Sequence, residues 1–146
     1  MAAMTKPQFD ALIDRHFQYE AEDDVDGVLS TLVDDLTHDL VGWPAGAAYD
    51  KRAARAFYDQ MFADLAGEKV TTVKRLYGDD FVVDESVWQG RAVGSPLGIP
   101  GHGRPLSFRI LHIFELAEDG RIKRENVWID QAAIVRQLSE PTALRA

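Results

Sequence analysis

An α+β domain is what this sequence predicts, and three observations carry the expectation. Apolar residues recur at helical spacing through most of the first 66 positions, and beyond Gly67 the period falls from about 3.6 to 2. A last helical stretch opens behind Asp130. Helices first and strands second build a segregated fold rather than an alternating one.

Each element has its own local signal. Phe9, Leu12, Ile13, His16, Phe17 and the Tyr19-Glu20 pair space a long helix over residues 8–24, with Thr5 as N-cap and Pro7 in its first turn. Asp23-Asp24-Val25-Asp26-Gly27 turns the chain into a shorter helix marked by Val25, Val28, Leu29, Leu32 and Val33 and ending near Asp34. Residues 36–41 read as a short strand carrying His38, followed by a loop at 42–46. A third helix spans 50–66 through Ala54, Phe57, Tyr58, Met61, Phe62 and Leu65, with Gly67 at its expected stop. Four strands follow at 70–77, 80–93, 105–116 and 121–129, rich in Val, Ile, Phe and Trp. Tight turns at Gly78-Asp79-Asp80 and Glu118-Asp119-Gly120 predict antiparallel neighbours. Asp130 caps the closing helix through Ile134, Val135 and Leu138, which stops near Pro141.

Composition bounds the function. The 146 residues fit one domain, 1–146, and the 46% hydrophobic and 27% charged fractions are those of an ordinary globular chain. A net charge of −8 argues against nucleic acid, whose phosphates demand clustered Lys and Arg. Without cysteine there is neither a disulfide framework nor a thiolate nucleophile. Met1-Ala2-Ala3-Met4-Thr5-Lys6-Pro7 lacks the apolar run of a signal peptide, and no stretch approaches the ~20 apolar residues of a membrane span. A cytoplasmic protein is the default expectation.

The candidate chemistry sits in the strands. Alternation over 105–116 places Leu106, Phe108, Ile110, His112 and Phe114 on one face, leaving His112 as the only polar group among apolar neighbours. A partly buried histidine can exchange a proton near neutrality; equally, it can be a core residue satisfied by hydrogen bonds. Asp84 and Glu85 point to opposite faces of the longest strand, so one of them faces inward, where it would serve as a general acid. His38 is either a second polar group of a pocket wall or a surface histidine. Trp43, Tyr58, Phe62 and Trp88 are candidates to line an apolar cavity or to fill ordinary core. No metal-ligand spacing connects Asp34, His38, Asp84 and His112, so no metal and no cofactor is expected. The glycines from Gly94 to Gly103 lack the Gly-Lys-Ser/Thr ending of a phosphate loop and suit an extended connection at a pocket mouth.

Several short motifs stand in a familiar order. Gly98-Ile99-Pro100 with Gly103-Arg104-Pro105, His112, Asp119-Gly120-Arg121-Ile122, Trp128-Ile129-Asp130 and Arg136-Gln137-Leu138 resemble the SnoaL-like polyketide cyclases of the nuclear transport factor 2-like superfamily. The resemblance implies a cone-shaped fold, with helices packed on a curved antiparallel sheet, and a histidine of the pocket wall at His112. It also places the Val127 face inside the cone, so that Glu125 either points into the same cavity as His112 and orients it or forms a cross-strand ion pair with Lys or Arg. One position departs: those cyclases carry a catalytic Asp where this chain has Val127.

The expected function is therefore cofactor-independent acid/base proton transfer on a hydrophobic, ketone-bearing small molecule: an aldol-type cyclisation, isomerisation or dehydration. His112, Glu125, Asp84 and His38 are the expected catalytic groups, with Trp43, Tyr58, Phe62, Trp88, Phe108 and Val127 against the substrate. The alternative, prompted by Val127, is a noncatalytic ligand-binding or assembly module. A homodimer is expected, and the alternative would form it through the outer sheet face. An epoxide hydrolase, a third possibility, would need an arginine between two aspartates in the pocket, and alternation turns Arg109 away from His112.

Overall fold

The computed structural model describes residues 4–140. Pro141, expected to stop the last helix, and Met1–Ala3 of the N-terminal stretch lie outside the described residues. The elements run α1 (Lys6–Ala21), α2 (Val25–Ser30), β1 (Leu32–Leu40), α3 (Lys51–Asp64), β2 (Leu65–Tyr77), β3 (Phe81–Ala92), β4 (Arg104–Leu116), β5 (Ile122–Ile129) and α4 (Gln131–Ser139). Helices therefore precede a curved five-stranded sheet of order β1-β5-β4-β3-β2, and a short helix closes the chain.

The capping chemistry is in place. Thr5 and Gln8 form a reciprocal capping box at the start of α1. The side chains of Asp24, Asp50 and Asp130 accept from the backbone N–H of Gly27, Ala53 and Ala133.

Three boundaries differ from the sequence expectation. α2 is a single short helix, and Leu32 and Val33 belong to β1, which starts four residues earlier than expected because both side chains are buried in the main core. Gly67 does not stop a helix; it lies inside β2 opposite Gly90, within a strand that begins at Leu65. Gly90 is required there, since a Cβ would stand 2.1 Å from the Ala66 carbonyl oxygen and against the Trp88 ring. Gly94–Gly103 is no extended flap at a mouth. Its middle winds into a 3₁₀ turn at Pro96–Gly98, Leu97 and Ile99 pack on the cluster of Leu106, Ile134 and Leu138, and none of its residues lines the cavity described below.

Two apolar clusters hold the fold. The larger joins Phe9, Ile13 and Val28 from the first helices with Leu36, Tyr58, Phe114 and Ile122; the smaller packs α4 on β4 through Leu106, Phe108, Ile134 and Leu138. β1 pairs parallel with β5, whereas every other strand pair is antiparallel. That parallel pairing sets the site, because it lays His38 beside Glu125 and Leu40 beside Val127.

Candidate active site

Two rows of residues cross the inner face of the sheet. One reads Val82, Phe114, Glu125, His38, and the next reads Arg75, Asp84, His112, Val127, Leu40. Antiparallel and parallel partners share a face, so alternation within each strand turns all of them toward the helices. Over these rows lies a cavity of about 330 Å³, walled by Phe17, Trp43, Phe62, Trp88 and Phe108, with His38, His112, Glu125 and Glu20 among its polar groups.

Glu125 is the centre of the polar floor. It is 1% exposed, and an isolated carboxylate at that depth is prohibitively costly. Its neighbours remove the penalty. Tyr58 donates its hydroxyl to Oε2 at 3.1 Å, and His16 Nε2 lies 3.3 Å from Oε1. His112 Nε2 stands 3.8 Å from Oε1 and His38 Nε2 3.9 Å from Oε2, so three imidazoles converge on one carboxyl group. Burial alone would raise the Glu125 pKa, but the charges of His16 and His38, the hydrogen bond from His16 and the charge of His112 outweigh it and hold the group well below the usual carboxylate range.

His16 has no freedom of tautomer. The Thr31 hydroxyl gives its hydrogen to the Val28 carbonyl at 2.6 Å, so its oxygen accepts from His16 Nδ1–H at 2.8 Å. Nε2 meanwhile sits between two carboxylates, Glu20 at 3.1 Å and Glu125 at 3.3 Å. Burial pulls the His16 pKa down, yet the charges of Glu125 and Glu20 more than offset that and lift it to about 10.

His112 is the opposite case. It is 4% exposed, stacked parallel on Phe114 at 5.0 Å and tilted against Phe17 at 5.1 Å. Burial lowers its pKa, and the attraction of Glu125 does not recover the loss. Its Nδ1 is the one buried side-chain polar atom without a hydrogen-bond partner among the described residues.

Of the expected catalytic residues, His112, Glu125 and His38 meet in this cavity, and Asp84 does not line it. Asp84 faces inward as one of the Asp84-Glu85 pair had to, but its oxygens are taken by Arg75 Nε at 2.7 Å and the Ser86 hydroxyl at 2.5 Å. Glu85 faces out and pairs with Arg109, which points away from His112 as alternation predicts. Trp43, Tyr58, Phe62, Trp88, Phe108 and Val127 all line the cavity, and Tyr58 also holds Glu125. Asp34 is a surface residue paired with Lys51, so the set Asp34, His38, Asp84, His112 is not assembled.

Sequence reasoning missed His16, Glu20 and Thr31. A signal existed: His16 occupies an apolar position of the α1 stripe with Glu20 one turn later, a polar pair on one helix face.

The profile of the family described as the SnoaL-like domain matches residues 13–125. No curated protein is similar enough in sequence to match. Among solved structures, a protein of Jannaschia sp. CCS1 named as a SnoaL-like polyketide cyclase superposes with a TM-score of 0.82 at 20% identity, covering 97% of this chain and 99% of its own. TsrD from Streptomyces laurentii gives 0.79 at 23% identity over 93% and 98%. An LEH-like epoxide hydrolase of M. tuberculosis gives 0.69 at 18% identity over 90% of each chain. Likeness at these identities is a likeness of fold.

Proposed function

Since the chain belongs to the SnoaL-like domain family, whose members share the nuclear transport factor 2-like fold and include small-molecule enzymes, we propose that it moves protons on a hydrophobic, ketone-bearing substrate. His112 is the acid/base group in this reading, and Glu125 orients it. The observation that carries the proposal is the place of His112 in the wall of an apolar cavity, with Nε2 3.8 Å from the Glu125 carboxylate and no partner on Nδ1. With Nε2–H directed at the carboxylate, Nδ1 keeps an unshared lone pair able to take a proton. The 3.8 Å separation is long for a hydrogen bond, as such contacts often are before substrate is bound.

Glu125 supplies what Val127 lacks. The two residues lie on the same face of β5, so the carboxylate stands one step along the strand from the position where the cyclases carry their aspartate. Proton abstraction next to a ketone, followed by return of the proton elsewhere, is common to aldol-type cyclisation, isomerisation and dehydration. A cavity of about 330 Å³ is at the small end of the range for small-molecule sites. His38 completes the polar floor beside Glu125, while the aromatic walls exclude water and grip the apolar body.

Exchange of α-hydrogens for deuterium across a panel of hydrophobic ketones, followed by NMR, tests the reading. His112→Ala is expected to lower the exchange rate by about 10²- to 10⁴-fold while the circular dichroism spectrum is unchanged. Equal rates in the variant and the parent would overturn it. The proposal includes a homodimer through the outer sheet face, where Leu76, Phe81 and Trp128 are exposed, and light scattering on the purified chain checks that mass.

A further inference from the structure

We propose that His16, Glu20 and Glu125 form a binding site for a first-row divalent transition metal at the floor of the cavity. Both carboxylate oxygens already stand near coordination spacing from His16 Nε2. His16 Nε2 is 3.1 Å from Glu20 Oε1 and 3.3 Å from Glu125 Oε1, and the three donor atoms lie within 4.8 Å of one another. An ion bonded at about 2.0–2.2 Å in a tetrahedron keeps its ligands roughly 3.3–3.6 Å apart, close to both distances from His16 Nε2.

The surroundings of the donors point the same way. Metal-binding imidazoles nearly always donate their second ring N–H to an oxygen acceptor, which fixes the ring and frees the other nitrogen. His16 does this through Nδ1–H to Thr31, whose own hydrogen is committed to Val28. Tyr58 holds the far oxygen of Glu125, leaving Oε1 turned toward His16. His16 and Glu20 are one turn apart on α1, and the strand residue Glu125 closes the set from the opposite side.

The donor set also balances an ion. Two carboxylates, a neutral imidazole and a divalent cation sum to zero. A proton and a metal ion compete for the same place between Glu20 and Glu125. One nitrogen and two oxygens favour zinc, cobalt, manganese or iron over calcium or magnesium. His112 lines the same cavity, with Nε2 3.8 Å from Glu125 Oε1. An ion here would have room to take a ketone oxygen of the substrate as a further ligand. The inference shares its cavity with the acid/base reading, but its test needs no turnover, so either can fail alone.

The experiment uses the full chain, stripped with chelator and titrated with Zn²⁺ by calorimetry and with Co²⁺ by visible absorption. One ion per chain is expected, with the intense d–d bands of low-coordinate cobalt. Glu20→Gln, whose side chain is partly exposed, should keep the fold and weaken binding by at least about tenfold. His112→Ala should still bind the ion while losing proton exchange. Absence of stoichiometric binding, or equal affinity in Glu20→Gln, would overturn the site. So would ring ¹⁵N signals showing both nitrogens of His16 protonated and unmoved by added Zn²⁺.

Discussion

Asp84 and Glu125 are both sealed from water on the inner face of one sheet, and their partners give them opposite characters. Asp84 meets the guanidinium of Arg75, a group that never loses its charge, and the Ser86 hydroxyl. Arg75 reaches on to Asp10 at 3.0 Å and Asp14 at 2.7 Å, tying β2 to α1. Burial depresses the Arg75 pKa, but its bonds to Asp84, Asp14 and Asp10 overcome that and raise it. Glu125 instead meets three imidazoles and a phenol, groups whose charge depends on where a proton sits. A permanent counter-charge makes a fastener. Exchangeable ones make a reactive floor.

The largest effect should come from breaking the fastener. Asp84→Ala takes from Arg75, 8% exposed, its one fully buried carboxylate and leaves it only Asp10 and Asp14 toward the surface; loss of one partner of a buried pair costs up to about 3–5 kcal/mol. The thermal midpoint should fall by roughly 10–20 °C. Asp84→Asn keeps the shape and should leave ketone exchange within a few-fold of the parent. If the Asp84→Asn variant melts normally but has lost exchange, both carboxylates are reactive.

Next comes Glu125→Gln, which preserves volume and the Tyr58 contact. The rate of ketone exchange should drop by about 10²- to 10³-fold with a far smaller change in melting temperature than Asp84→Ala gives. If Glu125→Gln lowers stability as much as Asp84→Ala and leaves exchange intact, the two carboxylates share a structural role and the contrast is gone.

Thr31 tests the support beneath the floor. Thr31→Val removes the acceptor of His16 Nδ1–H and leaves a buried donor unsatisfied, at a cost of about 1–3 kcal/mol, whereas Thr31→Ser should restore nearly all of it. Denaturant melts of the two variants give the difference directly. A valine as stable as the parent would show that the ring of His16 is held from the carboxylate side alone.

Much of this architecture could be read in the chain. Alternation alone placed His112 inward and Arg109 outward, and the Asp130 cap set the start of α4. Glu125 followed once the Val127 face was taken as inward. What stayed hidden depended on pairing between distant segments. His16 and Glu125 are 109 residues apart, and no local pattern announces that β1 runs parallel to β5. That crossover brings His38 to Glu125, so its role waited on the register. Asp84 misled for a related reason: alternation shows that one acid of the Asp84-Glu85 pair is buried, but only the fold shows Arg75 beside it. Gly67 was taken as a helix stop because a glycine after an apolar helical run usually is one, yet here it lies opposite Gly90 and against the ring of Trp88.

The smallest expected effect bears on where the fastener is anchored. Asp10 accepts from the Tyr77 hydroxyl at 2.6 Å and from Arg75 at 3.0 Å, and these bonds, Tyr77 first, keep its pKa below the ordinary 3.8 although burial opposes them. A carboxylate with a depressed folded value contributes stability that is present above its unfolded value and lost as pH falls through the folded one. Asp10→Asn should therefore leave the melting temperature almost unchanged at neutral pH, because the Asp10 side chain is 41% exposed and its charge is screened by water. Below about pH 4 it should flatten the acid limb of the stability curve slightly, and melts from pH 7 to pH 2 follow both regions. Should Asp10→Asn instead destabilise the protein at neutral pH as much as Asp84→Ala does, Arg75 is held from the helix side as well. Asp10 and Asp84 would then be equal anchors of Arg75, and Asp84 would lose its claim to be the single fixed counterpart of Glu125.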